Sequence, residues 1–119
     1  MKNIEVEVTE KHANEGIPGE AGCCAIALAI KNEWFEEDHL HVEVNSNGTI
    51  TILMDGEYEE DTGVTPRIDL YTFRPDEDDE VEITNFIHDY DSTPSDADYS
   101  ELDYMKFPYK FKFFRLDNA

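Results

Sequence analysis

Eight consecutive residues, Cys23–Ile30, carry no charge and nothing more polar than a thiol. In a chain where 32% of residues are charged, such a stretch belongs inside. Its alanine, leucine and isoleucine content predicts a helix over Cys23–Phe35, apolar on nearly all sides through Ile30 and emerging at Lys31-Asn32-Glu33. A helix of that kind sits at the centre of a core, and the two thiols at its start are expected to be buried with it. Adjacent cysteines are poor disulfide partners, so Cys23 and Cys24 read as reduced thiols of a cytoplasmic protein. The apolar run is far short of the ~20 residues that span a bilayer. The opening Met1-Lys2-Asn3-Ile4-Glu5 has no apolar signal region. The 119 residues fit a single domain, 1–119.

Around that helix the sequence alternates with period two. Ile4, Val6 and Val8 are separated by Glu5 and Glu7, which predicts a half-buried strand, and Thr9 then caps a short helical turn, Glu10–Glu15, broken by Gly16-Ile17-Pro18-Gly19. Leu40, Val42, Val44 and Ile50, Ile52, Met54 flank Asn45-Ser46-Asn47-Gly48, a hairpin pattern. Arg67–Phe73 predicts another strand, with Ile68 and Leu70 inward. Ile83, Phe86, Ile87 and Tyr90 define one face of an amphipathic acidic helix over Asp79–Tyr90. Asp91–Asp103 reads as a polar loop. In Lys106–Leu116, Phe107, Tyr109, Phe111 and Phe113 alternate with Lys106, Lys110 and Lys112, and the change of parity at Phe114 and Leu116 suggests a bulge. The fold class expected is α+β: a small, mostly antiparallel sheet of about five strands, one core helix and one amphipathic acidic helix.

Charge is the main functional clue. Twenty-nine acidic residues against nine lysines and arginines leave a formal net charge of −20. Such an excess repels itself and costs stability. It disfavours direct binding of nucleic acid, which requires cations to displace counterions from phosphates. The excess is concentrated in two stretches. One holds Asp55, Glu57, Glu59, Glu60 and Asp61. The other, between Pro75 and Met105, holds Asp76, Glu77, Asp78, Asp79, Glu80, Glu82, Asp89, Asp91, Asp96, Asp98, Glu101 and Asp103 with no lysine or arginine. A dense array of carboxylates can imitate the phosphates of B-DNA, which carries one charge per ~1.7 Å of axis. Tyr58, Tyr99 and Tyr104 are candidate anchors within such an interface.

Other chemistry finds less support. Asp89-x-Asp91 and Asp96-x-Asp98 offer hard oxygen ligands, but neither register places Gly and Glu where an EF-hand loop needs them. His12, Cys23 and Cys24 are too few for a zinc site, and His39, His41 and His88 lie on other elements. No phosphate loop or specific nucleophile motif is present, so neither a catalytic nor a metal site is assigned and no cofactor is expected.

Three stretches resemble an uncharacterised family of small bacteriophage and prophage proteins. Val8-Thr9-Glu10-Lys11-His12 with Gly16 is similar to that family's V-T-x-x-H-I-x-x-G opening, although Ala13 stands where a branched residue is usual. Cys24-Ala25-Ile26-Ala27-Leu28-Ala29 is similar to C-P-I-A-L-A, with Ala25 in the place of proline. Phe86-Ile87-His88-Asp89-Tyr90-Asp91 and Phe107-Pro108-Tyr109-Lys110-Phe111 are similar to its F-x-x-x-F-D…P-F-x-F ending. The resemblance implies a mobile-element origin and a shared scaffold, and leaves the acidic middle, Asp55–Glu82, uncovered. Together with the charge it leads to the expectation of a non-enzymatic phage-type inhibitor in the host cytoplasm, monomer or homodimer, that occupies a basic nucleic-acid-binding protein such as a nuclease or CRISPR effector. An anti-CRISPR or anti-restriction role is the specific form, by analogy. The alternatives are a general protein–protein interaction module whose acid only confers solubility, and a protein adapted to high salt.

Overall fold

The computed structural model describes residues 3–94 and 96–116, so Met1 and Lys2 of the opening and Ser95 of the polar loop lie outside the described residues. The elements in chain order are β1 (Asn3–Val8), α1 (Glu10–Glu15), α2 (Ala25–Trp34), β2 (Leu40–Val44), β3 (Ile50–Asp55), β4 (Arg67–Pro75), α3 (Glu80–Asp91), a short 3-10 turn (Tyr99–Glu101) and β5 (Tyr109–Arg115). The five strands form one antiparallel sheet in the order β1-β5-β4-β3-β2, curled into a half-barrel. This is the α+β architecture expected.

α2 lies where the half-barrel would otherwise be open. It packs against both edge strands, β1 and β2. Ala25, Ile26, Ala27, Ala29 and Ile30 are all buried, which accounts for the absence of polar side chains there. Two hydrogen bonds tie the edges on either side. The Trp34 indole N–H donates to the Glu5 carbonyl (3.0 Å), and the Val44 N–H donates to the Ala21 carbonyl (2.9 Å). The helix starts at Ala25 and not at Cys23. Ile17 N–H donates to the Cys23 carbonyl and Cys23 N–H to that of Glu20, so Cys23 belongs to a turn. Of the two thiols expected inside, Cys24 is buried and Cys23 is exposed.

The alternating strands behave as their patterns require. Ile4, Val6 and Val8 face the core, as do Val42, Val44, Ile50 and Ile52. Thr9 caps α1 through a reciprocal pair with His12. In β4 the inward assignment of Ile68 and Leu70 fails, since they are 42% and 38% exposed. Ile52 pairs with Tyr71 but Leu53 pairs with Asp69, which leaves Leu70 as an extra residue. This bulge resets the parity, so Phe73 and Pro75 become the buried members of the strand. Ile68 returns to the side of its partner Met54 but remains uncovered. The bulge expected near the end of β5 is absent, because β5 keeps an unbroken register with β1 from Tyr109 to Phe114. β5 also begins at Tyr109, not Lys106; Phe107 precedes it and packs edge-on against Phe86 and Tyr99.

α3 buries Ile83, Phe86, Ile87 and Tyr90, the face read from their spacing. Phe86 meets Tyr109 and Phe111 edge-on, and the Tyr90 hydroxyl donates to the Ala13 carbonyl (2.9 Å). Asp91–Asp103 is less open than its polarity suggests, since Thr93 and Tyr99 are buried.

The β2–β3 turn holds Gly48 at φ +89°, and a Cβ there would lie 2.7 Å from Pro75 Cγ and 3.2 Å from Ile83 Cγ2. Both the backbone region and the space exclude a side chain. Gly48→Ala is expected to lower stability by about 2–3 kcal/mol, read from the urea midpoint. An unchanged midpoint would remove this turn as the contact between the hairpin and the start of α3.

Candidate functional site

The two acidic stretches are positioned by β4. One ends just before this strand and the other begins directly after it. Nine extended residues at ~3.3 Å each separate the strand's ends by roughly 26 Å. The carboxylates therefore gather at opposite ends of the sheet.

At the first end, Asp55 closes β3, and the chain continues as an irregular ribbon. Gly56 N–H donates to the Pro66 carbonyl (2.7 Å), Glu59 N–H to that of Val64 (2.9 Å), and Gly63 N–H to that of Glu59 (2.9 Å). The ribbon carries Glu57, Tyr58, Glu59, Glu60 and Asp61, all exposed, with Tyr58 at 62%. Sequence reasoning missed three residues here. Glu36, Glu37 and Asp38 precede β2, whose Leu40 pairs with Met54 beside Asp55, so they join the same end. The signal was in the hairpin register: a chain entering β2 must arrive beside the chain leaving β3.

At the second end, carboxylates serve the backbone as well as facing water. Asp76 Oδ1 accepts the Asp78 N–H (2.9 Å), Asp79 Oδ2 accepts the Lys112 N–H (2.9 Å), and Asp91 Oδ1 accepts the Gly19 N–H (2.9 Å). Asp98 caps the 3-10 turn at the Ser100 side chain and N–H, and these bonds hold its pKa below the ordinary carboxylate value. Glu80 and Glu82 sit in the first turn of α3, where the helix dipole favours them. Glu77, Asp78 and Asp96 are exposed, and Asp89 is half-buried. Tyr99 is not available as a contact anchor. It is 3% exposed and stacks on Tyr90 at 5.6 Å, because the 3-10 turn directs it into the aromatic core. Tyr104 is exposed, and its hydroxyl shares a hydrogen bond with Thr93 (2.8 Å).

Several of the basic residues are engaged elsewhere. Arg67 pairs with Glu43 (2.9 Å) and Asp69 (2.7 Å), and Lys11 with Glu15 (3.9 Å). Lys31 donates to the Glu37 carbonyl. Arg115 lies over the Tyr71 ring (4.5 Å) and Arg74 over Phe114 (5.6 Å). Lys110 and Lys112 stand across from Glu7 and Glu5, and with Glu5, Asp76, Asp78 and Asp79 they line a pocket of about 200 Å³. Glu5 is thus a neighbour of the second acidic stretch. Among the described residues, no lysine or arginine forms an ion pair with any carboxylate of either stretch. His41 Nε2 lies 3.6 Å from Asp55 Oδ2.

Of the remaining candidates, His12 Nδ1 accepts the Thr9 N–H (3.0 Å) and burial lowers its pKa. It belongs to a helix cap. Cys24 is pushed up to about 11 by burial. Among the described residues no cluster of three His, Cys, Asp or Glu side chains could hold a metal ion, and no helix is long and apolar enough to cross a membrane. Comparison of the chain with known protein families, curated proteins and solved structures finds no match.

The two thiols differ enough to be told apart. Iodoacetamide at mild pH is expected to add one label, at Cys23, with Cys24 labelled only after unfolding, as read by mass spectrometry of the native and denatured protein. The folded state favours the neutral Cys24 thiol. Its contribution to stability is therefore complete below the unfolded value of 9.0 and declines as pH rises toward about 11. The stability difference between wild type and Cys24→Ala should narrow over that interval, and a constant difference would contradict the assignment.

Proposed function

We propose that this protein is a non-enzymatic inhibitor of the phage type, acting in the host cytoplasm, that offers carboxylates in place of nucleic-acid phosphates to a basic nucleic-acid-binding protein. A nuclease or CRISPR effector is the kind of target it suits. The observation that carries this reading is the absence of close ion pairs at both acidic ends. Lys110 and Lys112 share a pocket with Asp76, Asp78 and Asp79, yet no lysine or arginine lies within ion-pair distance of the candidate carboxylates among the described residues. A protein needing acid only for solubility has no requirement to segregate it in this way. The similarity of both ends of the chain to phage proteins supports the same direction.

The test is capture of proteins from a bacterial lysate on the immobilised chain. Binding should be present at about 0.1 M salt, be lost by about 0.5 M, and be displaced by duplex or single-stranded DNA. The captured proteins should themselves bind nucleic acid. Capture that persists at the higher salt and ignores competing DNA would sink the mimic and favour a plain interaction module.

A further inference from the structure

The two ends differ in ways that point to one of them as the docking element. The ribbon between β3 and β4 is ordered by its own backbone hydrogen bonds, Gly56 to Pro66 and Glu59 to Val64, yet contributes no residue to the hydrophobic core. It extends the hairpin of a molecule already 52 Å long and 22 Å thin. From it and from the adjoining start of β4 project Tyr58, Val64 and Ile68, exposed by 62%, 54% and 42%. Gly56 brings Ile68 into the ribbon, since a Cβ on that glycine would lie 3.2 Å from Ile68 Cδ1. These are exposed apolar side chains at the tip of the sheet.

The charge around them is mainly negative. Five of the seven residues from Asp55 to Asp61 are acidic, and the one base between Asp55 and Ile68, Arg67, is paired with Glu43 and Asp69. Their carboxylates are largely free of structural duty, apart from Glu59, which accepts the Thr62 hydroxyl (3.3 Å), and Asp55 beside His41. The second end is already occupied in part. Its Asp76, Asp79, Asp91 and Asp98 cap backbone N–H groups, and Lys110 and Lys112 lie against it. Its exposed apolar side chains are the isolated Val81 and Tyr104, whose hydroxyl is held by Thr93.

We infer that the Asp55–Ile68 ribbon is a preformed finger that docks a lysine- and arginine-rich segment of a partner protein. This inference rests on the proposed function and specifies which end performs it. Charge complementarity selects the occupant: exposed apolar side chains interspersed with carboxylates reject acidic segments and accept basic ones. Arginine suits it best, because the guanidinium can stack on Tyr58 while its donors reach Glu57 or Glu59. A ribbon already ordered loses little further entropy on docking.

The experiment is a titration of isotope-labelled full-length protein with a synthetic peptide of alternating arginine and leucine, followed by backbone amide shifts. Shifts should concentrate in residues 55–68. Tyr58→Ala should weaken binding roughly tenfold, as expected of an interface anchor. Neutralising the ribbon (Asp55→Asn, Glu57→Gln, Glu59→Gln, Glu60→Gln, Asp61→Asn) should weaken it far more than the same number of changes at Asp76, Glu77, Asp78, Glu80 and Glu82. Unchanged shifts in the core strands of each variant would show that it is folded. Binding centred on residues 76–103, or spread equally over both ends, would overturn the finger while leaving the broader function standing. No binding at either end would remove both.

Discussion

The structure depends on one packing arrangement, an apolar helix held between the two open edges of a curled sheet. A half-barrel of five strands has two edge strands with unpaired backbone groups, and α2 covers both. Its small residues, Ala25, Ala27 and Ala29, let the backbone approach, while Ile26 and Ile30 are fully buried. Each such isoleucine contributes about 1.5–3 kcal/mol. Once the helix is in place, α3 and the aromatic residues from Phe86 to Phe111 complete the remaining side of the core.

That core must offset considerable repulsion. Two carboxylates about 7 Å apart in water repel by roughly 0.6 kcal/mol, so about eight such pairs reach the lower edge of the margin of about 5–15 kcal/mol on which a domain survives. The fold limits the damage by distance. β4 keeps the two acidic groups apart, and Arg67, which opens the strand beside Asp55, has its own partners in Glu43 and Asp69. The second acidic end also recovers something from its carboxylates as helix and turn caps, which the ribbon does not do to the same extent.

Much of this was legible in the sequence, because most of its elements follow a single local rule. Period two placed β1, β2 and β3, the Asn45–Gly48 turn paired two of them, and the spacing of Ile83, Phe86, Ile87 and Tyr90 identified the buried face of α3. The failures share a cause in tertiary register. Leu70 breaks the alternation of β4 only because Ile52 pairs with Tyr71 and Leu53 with Asp69, which no local pattern reveals. Tyr99 read as an exposed aromatic in a polar loop, but a 3-10 turn directs it onto Tyr90. Glu36, Glu37 and Asp38 lie between the expected helix and the first hairpin strand and carry no local pattern of their own. They join the ribbon's end of the molecule only through the pairing of β2 with β3.

Placing negative charge at both ends of a strand has a further effect on how the molecule meets a partner. A chain with one charged end carries a large dipole and is rotated by the field of a basic surface as it approaches. Here the two ends oppose each other, so the charge distribution resembles a quadrupole and its torque falls off sooner with distance. For a basic partner of the kind proposed, long-range attraction would bring the protein in quickly without selecting which end arrives first. Orientation would then be decided at contact, where Tyr58, Val64 and Ile68 are exposed at one end.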